Sequence, residues 1–185
     1  FIQKSNIVKI IPWTWGGSAY TMGSMSDVVS SIYSSGYTSF DVGFDSKNSK
    51  LILTYMNSDE DGRVMIGDVS GASVTWGSYI EYINANSLGV AIAFDTNLNR
   101  VFIGARHEAG GSSGTKMRLF SGVTSGSGAN STITFTSSSH LVNDPATNFC
   151  AAAFDSSSNL VIFSYGDNQD SNKGKIITVD LGSIS

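Results

Sequence analysis

The chain has 185 residues, 15 of them acidic and 11 basic, which gives a net charge of −4 at pH 7. This balance excludes nucleic acid and anionic membranes as main partners, because both require a cationic surface. A hydrophobic fraction of 41% excludes intrinsic disorder, and the absence of any run of about 18 apolar residues predicts no membrane insertion.

The first predicted element lies near the N-terminus. The segment Trp13-Thr14-Trp15-Gly16 matches Val74-Thr75-Trp76-Gly77 in kind, and the latter is the last strand of a repeat described below. We therefore predict that residues 1–36 contain the outer strand of one repeat unit. A long connection, rich in Ser and Gly, is expected to follow it.

Three copies of one hairpin pattern follow, around Phe44-Asp45, Phe94-Asp95 and Phe154-Asp155. Apolar residues alternate before each pair, as in a strand with one buried face. Polar residues and then a β-branched and aromatic run come after it, which is typical of a hairpin. An aspartate at the turn entry accepts hydrogen bonds from backbone N–H groups two or three residues ahead. We therefore predict that Asp45, Asp95 and Asp155 are structural turn residues.

A third strand is predicted behind Gly62, Gly114 and Gly174, and a fourth at residues 73–77 and 132–136. Four strands in about 50 residues are typical of a propeller blade. We predict an all-β fold, a β-propeller-like array of four-stranded antiparallel blades, with repeats at 37–87, 88–145 and 146–185. The last repeat is incomplete, so the array is expected to be part of a larger propeller. A β-sandwich or a stacked β-repeat is the alternative.

The loops between the second and third strands are the candidate binding residues. Equivalent repeat positions put these loops on the same side of the array. Their carboxylate and amide oxygens suit a sugar's hydroxyl groups or Ca²⁺, the one cofactor that the sequence suggests. Solvated hairpin tips are the alternative interpretation. The candidates are Asp59, Glu60, Asp61, Glu108, Asp167, Asn168 and Asp170.

Catalysis is not expected. The two histidines, His107 and His140, fall at unlike repeat positions, and Cys150 falls where Phe40 and Val90 fall in the other copies. Carboxylates can be paired for glycoside hydrolysis only by free choice. Several aromatic residues either form a sugar platform or pack between blades. They are Trp13, Trp15, Trp76, Tyr79 and Tyr82.

The repeat core at residues 44–55, 94–105 and 154–165, with the Gly71–Gly77 segment, resembles the repeat proteins of tailed bacteriophages, notably marine ones. The resemblance implies a non-enzymatic structural or adhesive module of a viral particle, such as a tail fibre, spike or virion-surface protein. Its implied location is extracellular, and its implied partners are other copies, other virion proteins and a host-surface glycan. A fragment of a propeller glycoside hydrolase and a bacterial surface adhesin are the alternatives.

Overall fold

The computed structural model describes residues 2–4, 6–33, 40–84, 87–108, 115–136, 140–145, 150–167, 170–171 and 173–180. Most of these residues form antiparallel β-sheets, and a 3-10 turn lies at Gly128–Asn130. The predicted all-β class is confirmed. None of the described helical residues makes a segment long and apolar enough to span a bilayer.

The N-terminal region forms sheet 1 and a projecting hairpin. Sheet 1 has the order β1-β2-β5, with β1 at Ile2–Lys4, β2 at Ile7–Ile10 and β5 at Ser26–Val29. Strands β3 (Trp13–Trp15) and β4 (Tyr20–Met22) pair between them, and we call this hairpin the aromatic arm. The sequence predicted one strand and a long connection here. Five strands are present. The sequence did not indicate most of them, because segments of three or four residues are too short to show a clear period.

Sheet 2 is an antiparallel meander in which two short strands together take the place of a fourth strand. Strands β6 to β8 pair in chain order, and two short strands then share the free edge of β8. β9 pairs with the second half of β8 and β10 with the first half. The strands are β6 (Phe40–Asp45), β7 (Lys50–Met56), β8 (Gly62–Ser70), β9 (Ser73–Trp76) and β10 (Ile80–Ile83).

Sheet 3 repeats this topology, and sheet 4 has three described strands. In sheet 3 the short strands β14 and β15 share the edge of β13. Its strands are β11 (Ser87–Asp95), β12 (Arg100–Glu108), β13 (Thr115–Ser125), β14 (Thr132–Phe135) and β15 (His140–Pro145). Sheet 4 has the order β16 (Cys150–Asp155), β17 (Leu160–Asp167) and β18 (Lys173–Asp180).

The four sheets stack face to face in chain order. Alternate residues of β7 show the arrangement: Ile52 belongs to the core shared with sheet 3, and Leu53 to the core shared with sheet 1. Because both faces of β7 are covered, apolar residues stand at consecutive positions in it, from Leu51 to Leu53. A further core joins sheet 3 to sheet 4, where Phe102 and Phe163 meet.

Close approach between sheets 3 and 4 depends on Gly104. A Cβ at this position would lie 2.7 Å from Cε1 of Phe163 and 2.6 Å from Cε of Met117. Both distances are shorter than carbon atoms tolerate, so a larger residue would push the sheets apart. Gly104 therefore leaves room on sheet 3 for an aromatic ring from sheet 4.

Candidate functional site

The three predicted turn aspartates each begin the first hairpin turn of a sheet. In every case one carboxylate oxygen accepts hydrogen bonds from groups two or three residues ahead, as expected for this type of turn. Asp45 and Asp95 are fully buried, whereas Asp155 is partly exposed. The donors are the Lys47 and Asn48 N–H groups for Asp45, the Asn97 and Leu98 N–H groups for Asp95, and the Ser157 N–H and hydroxyl for Asp155.

Each turn also needs a left-handed residue four positions after its aspartate. Ser49, Asn99 and Asn159 have φ angles of 53°, 56° and 54°. Asparagine enters this region more easily than most residues because its short polar side chain bonds locally. The three hairpins therefore have the same backbone geometry, which agrees with their equivalence in sequence.

Side chains link these turns from sheet to sheet. Asn48 Nδ2 lies 3.5 Å from Asn99 Oδ1, and Asn97 Nδ2 donates to Asn159 Oδ1 at 2.9 Å. In addition, the Thr124 hydroxyl of sheet 3 donates to Asp45 Oδ2 at 2.5 Å. The three turns consequently lie in a row at one end of the stack, which we call the turn row.

An ion pair within sheet 2 contacts the segment of sheet 3 at residues 128–131 and forms a second link between these sheets. Lys50 Nζ lies 2.5 Å from Asp68 Oδ1 and 3.4 Å from the Ser131 hydroxyl, and the lysine is only 5% exposed. Asp68 Oδ2 accepts a hydrogen bond from Gly128 N at 2.7 Å. The hydrogen bond from Lys50, followed by that from Gly128, lowers the pKa of Asp68. The two charged side chains therefore pair within sheet 2, and each also makes a hydrogen bond to sheet 3.

Hydrogen bonds to the Asp155 carboxylate lower its pKa, so the stability that this residue contributes depends on pH. The Ser157 and Ser158 hydroxyls, with backbone N–H groups, lower its pKa from 3.8 to about 2. Because the folded pKa is depressed, its stabilising contribution is present above pH 3.8 and is lost as the pH falls through about 2. An NMR titration of the Asp155 carboxyl carbon should give this low pKa. Ser157→Ala should move the pKa back toward 3.8, and an unshifted wild-type value would contradict the assignment.

The opposite end of the stack carries the predicted binding loops, since β7, β12 and β17 each run away from the turn row. The loop with Asp59, Glu60 and Asp61 closes on the buried Asn57. Asn57 Oδ1 accepts from the N–H groups of Asp59 at 3.1 Å and Asp61 at 2.7 Å, and its Nδ2 donates to Asp61 Oδ2. Asn57 begins this loop in the sequence, but the role of its side chain in closing the turn was not predicted, although an asparagine before an acidic turn is a signal for such a loop.

The other loop candidates are not brought to this turn by any contact among the described residues. Asp167 is buried, and its carboxylate lies 2.5 Å from Lys175 Nζ. Asp170 donates its N–H to Asp167 Oδ1 and pairs with Lys173 at 2.8 Å. Asn168 and the side chain of Glu108 lie outside the described residues. Within the described part of the chain, no group of three or more His, Cys, Asp or Glu residues could hold a metal ion.

A compact polar patch lies beside the Asn57 loop, and we call it the Arg63 patch. The Arg63 guanidinium carbon is 4.2 Å from the ring centroid of Tyr79. Its Nη2 is 3.3 Å from Glu81 Oε2 and 3.8 Å from Asp61 Oδ2. Tyr79 is 52% exposed. The patch thus combines an accessible aromatic ring with charges of both signs. It could not be predicted from the sequence, because it forms only where β10 pairs with β8.

The remaining aromatic candidates divide into two groups. Tyr82 packs against Phe120 with ring centroids 4.9 Å apart, and Trp76 packs against the core between sheets 1 and 2. Packing between sheets is therefore right for these two residues. It is wrong for Trp13 and Trp15, which are 61% and 58% exposed on the aromatic arm, because the arm projects beyond sheet 1.

The described sheets define an all-β protein of stacked antiparallel repeats. Comparison with protein-family models, curated proteins and solved structures finds no match to the chain. The case for its function is therefore made from the geometry of the turn row, the loops and the exposed surfaces.

Proposed function

We propose that the chain is a non-enzymatic structural or adhesive module of a viral particle, such as a tail fibre, a spike or a virion-surface protein. The observation that carries the proposal is the turn row, in which equivalent turns are joined across sheets by side-chain hydrogen bonds. Polar side chains of these turns, two to four positions after the aspartate, are used there to fasten sheets together. This use of equivalent turns is typical of a building element. The proposal includes an extracellular location.

Within this proposal the sheets are blades of a β-propeller-like array. In a propeller the first strands of the blades lie nearest a common axis and the outer strands spread apart. Here β6 lies against β11, and β11 lies against β16. Ile92 N of β11 also donates to Asp41 Oδ2 of β6 at 2.9 Å. This close contact of first strands supports a fan of sheets, and a larger array would complete it.

A structural role is also supported by what the acidic residues do. Asp61, Asp167 and Asp170 each accept a hydrogen bond or pair with a cation from their own loop or sheet. Asp45 and Asp68 are used between sheets. These carboxylates are held by internal partners, whereas a glycosidase requires two that face one substrate.

The adhesive part of the proposal concerns the Arg63 patch. Sugars bind to proteins through stacking on aromatic rings and through hydrogen bonds from their hydroxyl groups to charged side chains. Tyr79, Arg63 and Glu81 supply these groups within one exposed area. A neutral or acidic host-surface glycan is the ligand class that this combination fits, with Arg63 contacting a carboxylate where the sugar has one.

A glycan array, followed by a hydrolysis assay on the glycans that bind, tests this function. We expect binding without release of reducing sugar, and a loss of about tenfold in affinity for Tyr79→Ala, which is the scale of one lost stacking contact. Phe44→Ala is the matched control, because Phe44 is also exposed but lies in β6 beside the turn row, outside the Arg63 patch and the aromatic arm.

Turnover of any glycan would overturn the non-enzymatic proposal. Failure to bind any glycan would remove the adhesive part and leave the structural one. The viral part has its own test: an antibody against the chain should label intact particles of the virus that encodes it. A chain absent from purified particles would contradict that part.

A further inference from the structure

A pocket of about 330 Å³ lies between sheets 1 and 2, where the aromatic arm leaves sheet 1. One wall is formed by sheet 1 and the base of the arm, and the other by the turn between β8 and β9 and the start of β9. This volume is at the lower end of the range of small-molecule sites. Both walls belong to described sheets, so the pocket is internal to the stack. Its lining includes Ile10, Pro12, Ser24, Ser26, Ser73 and Val74.

The length of one turn accounts for this pocket. In sheet 3, residues 126–131 join β13 to β14, and their 3-10 turn packs on sheet 2, where Gly128 N donates to Asp68 Oδ2 at 2.7 Å. In sheet 2, only residues 71–72 join the equivalent strands β8 and β9. The shorter turn leaves space between itself and sheet 1. A chain segment therefore fills the gap at one junction of sheets, and a pocket remains at the other.

The lining combines hydroxyl groups with aliphatic surface. Ser24, Ser26 and Ser73 are exposed, and within the described part of the chain their hydroxyls have no hydrogen bond to another protein group. Each hydroxyl can therefore both donate to a ligand and accept from it. Apolar surface comes from residues such as Ile10 and Val74. This combination suits a sugar ring, which carries hydroxyl groups at its edge and C–H groups on its faces.

The charges around the pocket favour a neutral ligand. None of the described residues that line it is charged. Lys9 and Asp27 are next to lining residues in the sequence, but they pair with each other, and alternate strand positions point to opposite faces of a sheet. A charged ligand would lose water in the pocket without gaining a counter-charge, which is costly. The pocket thus differs in chemistry from the Arg63 patch.

We infer that this pocket binds one neutral sugar unit of a glycan, with the aromatic arm beside its mouth. The base of the arm is part of the pocket, because Gly23 N donates to Pro12 O at 2.8 Å and both residues line it. The first pair of the arm, Trp13 with Met22, follows directly, and Trp13 is 61% exposed. Its indole ring is available to sugar units that extend from the pocket. The inference rests on the adhesive part of the proposed function, and the pocket shares no residue with the Arg63 patch.

An NMR titration of the chain with three neutral probes tests the pocket. The probes are methyl β-galactoside, methyl β-glucoside and methyl N-acetyl-β-glucosaminide. We expect at least one of them to shift the amide signals of Ser26 and Ser73 with a Kd of about 1 mM, the affinity expected for a ligand of about a dozen non-hydrogen atoms. Ser26→Leu places a bulky side chain at the pocket and should weaken binding about tenfold or more. Ser26→Ala combined with Ser73→Ala removes two hydroxyls without blocking the pocket, and it should weaken binding as well.

Ser164→Leu is the matched control, because Ser164 is also an exposed strand serine but lies in β17 of sheet 4. Far-ultraviolet circular dichroism and melting temperature check that every variant is folded. Unshifted Ser26 and Ser73 signals with every probe up to about 50 mM would overturn the inference. So would binding that Ser26→Leu leaves unchanged. If Tyr79→Ala abolishes that binding instead, the sugar belongs to the Arg63 patch, and the adhesive function stands without the pocket.

Discussion

Gly77→Ala is expected to destabilise the protein strongly. Gly77 is buried where sheets 2 and 3 meet, and a Cβ there would lie 1.9 Å from the carbonyl oxygen of Ser131. The backbone has little freedom to move, because Gly77 N donates to Ile66 O at 2.9 Å and Ser131 N donates to Gly128 O at 3.1 Å. We expect a loss of about 3 kcal/mol in the free energy of unfolding, the upper range for overpacking.

Gly174→Ala is the control for this experiment. Gly174 lies in β18, and nothing is within 4 Å of the Cβ that it would gain. Its effect in urea unfolding, measured at a low protein concentration, should stay within about 0.5 kcal/mol, as for most surface changes. Similar losses for the two glycines would mean that Gly77 is not held between two fixed backbones.

The second large effect is expected at the turn row. Asp45 is fully buried and accepts hydrogen bonds from two backbone N–H groups, the Asn48 amide and the Thr124 hydroxyl. Asp45→Ala leaves these donors without their charged acceptor, so we expect a loss of about 3 kcal/mol. Asp155→Ala should cost clearly less, because Asp155 is partly exposed and bonds within its own turn.

A double-mutant cycle separates the link between sheets from the local turn. Thr124→Val removes the hydroxyl that reaches Asp45 from sheet 3. If the link stabilises the stack, Asp45→Ala and Thr124→Val combined should cost less than the sum of the two single changes. Additive losses, or equal losses for Asp45→Ala and Asp155→Ala, would show that the turns act independently of the stacking.

The hairpins could be predicted from sequence because their signals are local. Alternating apolar residues, an aspartate at the turn entry and a following β-branched run occur within about a dozen residues, and backbone hydrogen bonds follow directly from them. Asp45, Asp95 and Asp155 are the turn residues that this pattern indicates. The left-handed Ser49, Asn99 and Asn159 agree with it.

The stacking and the surfaces could not be predicted in the same way. Strands such as β10, with four residues, are recognised only when the edge that they pair with is known. The exposure of Trp13 and Trp15 depends on the position of the arm relative to sheet 1, which no local pattern specifies. The Arg63 patch likewise forms because β10 pairs with the first half of β8, and the two segments are separated in sequence.

A density map of the protein in its assembled state tests the central claim most directly. The operation that superimposes sheet 2 on sheet 3, and sheet 3 on sheet 4, should be a rotation about one axis, with β6, β11 and β16 nearest to that axis. Such a result would agree with a propeller-like structural module. A pure translation between successive sheets would contradict it and would make the chain a linear stack of β-repeats.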